Sequence, residues 1–170
     1  MIAPHRIAQA SLLLAALLPG AAYAETITGT FNVTMEITST CLVQSGIADL
    51  DFGSHPASDT NISGSTVLQV ACAKDTPFNI GLAPSNDHDT GAGVMSGTGG
   101  NTDTVPYQLR QGPALLAPVW GNTATAADVG NGVAGTGSGA LVDYPVYGTV
   151  ASANYTPGTY SDIVTVNVNF

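Results

Sequence analysis

Ser161-Asp-Ile-Val-Thr-Val-Asn-Val-Asn-Phe170 is a strongly alternating β-strand. Val164, Val166, Val168 and Phe170 share one face, and Ile163, Thr165, Asn167 and Asn169 share the other, because successive side chains of an extended chain point to opposite sides. So apolar a face needs a neighbour, and the sequence places nothing after Phe170 to supply one. A second alternating segment lies towards the other end, in Ile27-Thr-Gly-Thr-Phe-Asn-Val-Thr-Met-Glu-Ile37. Its even positions from Thr28 to Glu36 are polar. Its odd positions are Ile27, Gly29, Phe31, Val33, Met35 and Ile37. With a strand wanting at one end and a spare one at the other, the expectation is subunits that complete each other in a fibre. An ordinary first strand pairing inside its own domain, or a tail folded back into its own groove, are the alternatives for 27–37.

Between these ends no stretch reads as a helix of useful length. Gly, Thr, Ser, Asn and Val dominate, and short strands are expected at 48–53, 65–73, 78–83, 105–111 and 142–150, each bounded by turn residues. Over 65–73, Leu68, Val70 and Cys72 fall on one face, expected to be the inner one. Pro157-Gly158 supplies a tight turn before the last strand. The Gly-rich stretches Thr90–Asn101 and Val129–Gly139 read as mobile surface loops. Trp120, the sole tryptophan, reads as a core residue. Many short strands separated by turns mean a sandwich or a barrel.

Residues 1–24 read as an export signal. His5 and Arg6 give a positive start, Ala10 to Leu18 is a short apolar run, and Ala22-Tyr23-Ala24 fits the small-x-small cleavage rule. That run is too short to span a bilayer, and no other segment is apolar enough to anchor in one, so membrane insertion is not expected. Cys41 and Cys72, the only two cysteines, are then expected to pair. Closing a loop of about 30 residues contributes roughly 3–4 kcal/mol in the chain-entropy view.

The formal charge is −9, and beyond residue 24 only Lys74 and Arg110 face the 12 acids. Phosphate neutralisation needs Lys and Arg, so nucleic acid is an unsuitable partner, as is an anionic lipid surface. No cofactor is implied. Zinc is a poor reading without a CxxC pair. Asp87-His-Asp-Thr-Gly91 starts like a calcium loop but lacks the acid at position five and the Glu at position twelve, so it reads as a polar turn. There is no GxSxG elbow, and a hydrolase would have to use His55 or His88 from loop contexts. The chain is not expected to be an enzyme. The second functional reading is a secreted lectin-like module that binds through Trp120, Tyr107 and the Gly-rich loops.

Several blocks, in order, resemble the spore coat protein U (SCPU) domain family, which includes the Csu-type pilins of archaic chaperone–usher systems. Thr28-Gly-Thr-Phe-Asn-Val-Thr-Met-Glu-Ile-Thr-Ser-Thr-Cys41 is similar to its N-terminal donor segment and first cysteine. Leu50-Asp-Phe-Gly53 and Val67-Leu-Gln-Val-Ala-Cys72 resemble its next blocks. Val105-Pro-Tyr-Gln-Leu109 with Val119-Trp-Gly121 resembles its middle. Val146-Tyr-Gly148, then Thr156-Pro-Gly-Thr-Tyr-Ser-Asp-Ile-Val-Thr-Val-Asn-Val-Asn-Phe170, resembles its close. Arg110, where an aromatic is expected, and the absence of basic residues in Thr90–Asn101 depart from the pattern.

The resemblance implies an all-β, incomplete immunoglobulin-like sandwich lacking its final strand and completed by donor-strand complementation. It implies a donor segment at 25–37, with Ile27, Phe31, Val33, Met35 and Ile37 as donor residues, and a pilin domain at 38–170. Val164, Val166, Val168 and Phe170 would edge the acceptor groove. The implied partners are a periplasmic chaperone, an outer-membrane usher and neighbouring pilin subunits. The implied destination is a cell-surface pilus reached through the periplasm, serving attachment and biofilm formation.

Overall fold

A computed structural model of the chain describes residues 24–86 and 89–170. The export signal expected at 1–24 lies, but for Ala24, outside the described residues, as do Asp87 and His88. The chain divides into two units, Met1–Glu36 and Ile37–Phe170. In the first, residues 24–36 form neither helix nor strand, and the side chains of Ile27, Phe31, Val33 and Met35 are exposed.

In the second unit all regular structure among the described residues is β, in nine strands. They are β1 (Cys41–Val43), β2 (Thr60–Cys72), β3 (Pro77–Pro84), β4 (Ala92–Gly97), β5 (Thr104–Arg110), β6 (Val133–Thr136), β7 (Val142–Ser152), β8 (Tyr160–Ser161) and β9 (Val164–Asn169). Two antiparallel sheets result, one ordered β1-β2-β7-β5-β4-β8 and the other β6-β3-β9. This is an all-β sandwich.

Alternation sets the inner faces. Ile62, Leu68, Val70 and Cys72 of β2 are buried, with Val146 and Val150 of β7, while Val67 on the opposite face is exposed. The small sheet contributes Phe78, Ile80 and Leu82 from β3, and β5 adds Val105, Tyr107 and Leu109. The Cys41–Cys72 disulfide is formed between directly paired residues of β1 and β2. Trp120 is 1% exposed, and its indole N–H donates to the Ile80 carbonyl at 2.9 Å. A buried indole needs such an acceptor.

Three expectations are corrected. Thr90–Asn101 is not simply a loop, since it contains β4, paired with β5 on one side and β8 on the other. Val129–Gly139 contains β6, paired with β3. Glycine in both cases makes room for an aromatic ring. A Cβ at Gly93 would fall on the Tyr107 ring, and one at Gly135 on the Phe78 ring. Composition reads such glycines as loop; cross-strand packing explains them as strand. The third correction is 48–53, which makes no ladder.

Candidate functional site

Beside β9 the two sheets leave an open groove of about 620 Å³. Leu68, Tyr107, Leu109 and Val146 of the large sheet line it, facing Leu82, Val164 and Val166 of the small one. One flank is β9 itself, which pairs with β3 and stands at the sheet edge. The other flank is the strip Ile47–Phe52. Among the described residues, no backbone–backbone hydrogen bond joins 45–55 to the rest of the chain. An apolar groove is therefore bounded by an edge strand on one side and by an unladdered strip on the other, and the outer edge of β9 leaves main-chain donors and acceptors for another strand.

The strip is seated by a glycine pair. Gly64 of β2 and Gly148 of β7 face each other in the ladder on the inner side of the sheet. A Cβ at Gly64 would come within 3.1 Å of Leu50 and 3.2 Å of Phe52. At Gly148 it would come within 2.8 Å of Phe52. Leu50 and Phe52 thus lie on a bare patch of sheet. Side-chain bonds fasten the strip as well, with the Thr66 hydroxyl donating to the Ala48 carbonyl at 2.6 Å. His55 Nδ1 sits 2.9 Å from Asp59 Oδ2, and its Nε2 sits 2.7 Å from the Phe52 carbonyl oxygen. The bond to Asp59, then that to the Phe52 carbonyl, raises the His55 pKa above its ordinary value.

Of the expected groove residues, Val164 and Val166 line the cavity. Val168 packs against the core beyond the lining, and Phe170 lies one residue past β9, 52% exposed. The lining is thus shorter along β9 than the alternation predicts, and includes Tyr160, Ser161, Asp162 and Ile163 before it. The five donor candidates, Ile27, Phe31, Val33, Met35 and Ile37, are 78–89% exposed. Sequence reasoning missed the Gly64–Gly148 pair and the Tyr107–Asp162 contact. The glycines carried a signal, since both sit on the apolar face of an alternating strand.

Trp120 and Tyr107 are buried, so neither offers a face for stacking a sugar. Both His55 ring nitrogens are engaged by Asp59 and Phe52. No group of three or more potential metal ligands occurs among the described residues. Arg110, the departure from the family pattern, braces the loop after β5 by donating to the Ala117 carbonyl at 2.8 Å and to the Thr149 hydroxyl at 3.3 Å.

Fold and groove together define an immunoglobulin-like sandwich with one open edge. Residues 27–167 match the Spore Coat Protein U domain model, and the chain belongs to that family. Among solved structures it is similar to a chain of the CsuC–CsuE chaperone–tip adhesion subunit pre-assembly complex from the archaic chaperone-usher Csu pili of Acinetobacter baumannii. That likeness has a TM-score of 0.55 at 16% identity, over 79% of this chain and 40% of that one. A chain of a chaperone–tip adhesin complex of CFA/I fimbriae biogenesis is also similar, with a TM-score of 0.44 at 13% identity, over 76% and 42%. The chain spans less than half the length of either, and the first likeness is one of fold. No curated protein matches.

Proposed function

We propose that this protein is a structural pilus subunit that polymerises by strand exchange, the groove of one copy receiving residues 25–37 of the next. The observation that carries this is the groove itself: apolar lining, β9 at the sheet edge on one side, and the unladdered strip Ile47–Phe52 on the other. An added strand would extend the small sheet through main-chain hydrogen bonds, and its alternate side chains would fill the groove.

Segment 27–37 has the required pattern and is exposed. Burying Ile27, Phe31, Val33, Met35 and Ile37 at about 1.5–3 kcal/mol each gives roughly 8–15 kcal/mol gross. Ordering the segment offsets part of that. Half of it would still make a durable noncovalent link. In this reading a periplasmic chaperone fills the groove before assembly and an outer-membrane usher directs the exchange. Residues 1–24 send the chain to the periplasm, and the pilus serves attachment and biofilm formation.

The test is removal of residues 25–37. The full chain is expected to form multimers that resist heat and SDS and contain no reducible cross-link, and the truncated one is expected to form none. Fibres from the truncated chain would overturn the proposal.

A further inference from the structure

Asp162 stands where the chain crosses from one sheet to the other. Tyr160–Ser161 (β8) belongs to the six-stranded sheet and Val164–Asn169 (β9) to the three-stranded one, so Asp162 and Ile163 make the whole crossing. The Asp162 carboxylate gathers three donors there. Oδ2 accepts from the Tyr107 hydroxyl at 2.7 Å, and Oδ1 accepts from the Ser85 hydroxyl and from the Ile163 N–H at 2.8 Å. Tyr107 lies on β5 of the large sheet. Ser85 directly follows β3 of the small one. One side chain thus ties the two layers together, and both Asp162 and Tyr107 line the groove.

The contact is built into the neighbouring strand as well. Gly93 of β4 is the residue paired with Tyr107. A Cβ there would overlap the Tyr107 ring and hydroxyl. The glycine therefore lets the ring lie across β4 towards Asp162. Burial first, and the bond to Asp162 second, raise the phenol pKa far above its ordinary range, so the hydroxyl remains a donor. Hydrogen bonds to an ionised acceptor are the stronger kind.

We propose that Asp162 is a positioning residue for the groove: by holding Tyr107 of one sheet and Ser85 of the other, it sets the separation of the two walls between which an incoming apolar strand must fit. This rests on the reading that the groove receives a strand. Interiors accept side chains only at close packing density, so a small change in wall separation changes how well a strand seats. Asp162 need not touch that strand.

The experiment measures uptake of a fluorescent peptide of residues 25–37 by the dilute full chain, by anisotropy, with the melting temperature recorded for each variant. Asp162→Ala is expected to weaken uptake about tenfold, the scale of one charge-assisted hydrogen bond. Asp162→Asn, which keeps an acceptor and the same shape, is expected to recover most of that loss. Gly93→Ala, which leaves Asp162 intact but displaces the ring, is expected to reproduce the Asp162→Ala loss. Should Asp162→Ala not fold, Gly93→Ala and Tyr107→Phe carry the measurement. If the natural chain takes up peptide and these variants take it up equally well, melting lower or not, the positioning role is overturned and the strand-accepting groove stands. If the natural chain takes up no peptide, both fall.

Discussion

Residues 27–37 and 163–170 carry the same pattern and end differently. Both alternate apolar and polar side chains at period two. Val164–Asn169 forms a strand because β3 lies alongside and supplies six residue pairs, from Asn79↔Asn169 to Pro84↔Val164. Over 27–36 the chain forms no strand, and its apolar row faces solvent. Alternation therefore specifies an extended ribbon with one apolar face. It does not specify a partner, and a lone ribbon with its backbone in water has little to hold it.

The sharpest way to break this contrast is to charge the exposed row. Phe31→Asp with Val33→Asp is expected to abolish heat-resistant multimers on denaturing gels and to leave the melting temperature of the folded unit unmoved. A drop in melting temperature would mean that the row is already buried within one chain. Next in size is the disulfide that anchors β1, the first strand after the free segment, to β2. Replacing Cys41 and Cys72 by Ala is expected to cost roughly 3–4 kcal/mol in denaturant unfolding. A loss well under 1 kcal/mol would show that pairing of β1 with β2 is sufficient by itself.

A matched pair of truncations is a finer probe. Val166→Ala removes two methyl groups from a half-buried strand and is expected to cost about 1–2 kcal/mol. Val33→Ala removes the same atoms from the exposed segment and is expected to leave unfolding of the single chain unchanged, while weakening multimers. Equal costs would erase the distinction between the two ribbons.

The smallest effect is that of pH on the groove's other flank. The His55 pKa is raised in the fold, chiefly by Asp59. Its contribution to stability is thus full below the ordinary value of 6.5 and fades as pH rises through the folded value. Because the site is exposed, the natural chain is expected to lose only a degree or so of melting temperature relative to His55→Gln between acid and mildly alkaline pH, about what a surface ion pair supplies. The opposite sign would show that His55 is held neutral.

Much of the fold was legible in the sequence. The inner face of β2, the core place of Trp120, the cysteine pair and the strand over 164–169 follow from period-two alternation and residue chemistry, which are local; the single strand expected from Ser161 to Phe170 is instead divided at Asp162 and Ile163 between the two sheets. β4 and β6 were not legible, because Gly93 and Gly135 look like loop residues until Tyr107 and Phe78 are seen lying across them. Residues 48–53 misled in the opposite sense: Leu50 and Phe52 alternate like a strand, yet they pack on the Gly64–Gly148 pair without joining a ladder.

The sequence by itself determined which segments are apolar on one side, which is a property of neighbouring residues along the chain. Only the tertiary structure decided which of those sides meet. Strand order, the edge position of β9, the open groove and the meeting of Tyr107, Ser85 and Asp162 bring together residues far apart in the chain, Ser85 with Asp162, Asn79 with Asn169 and Thr60 with Ser152 among them. Contacts of that range depend on how whole layers pack, and alternation at period two carries no information about them.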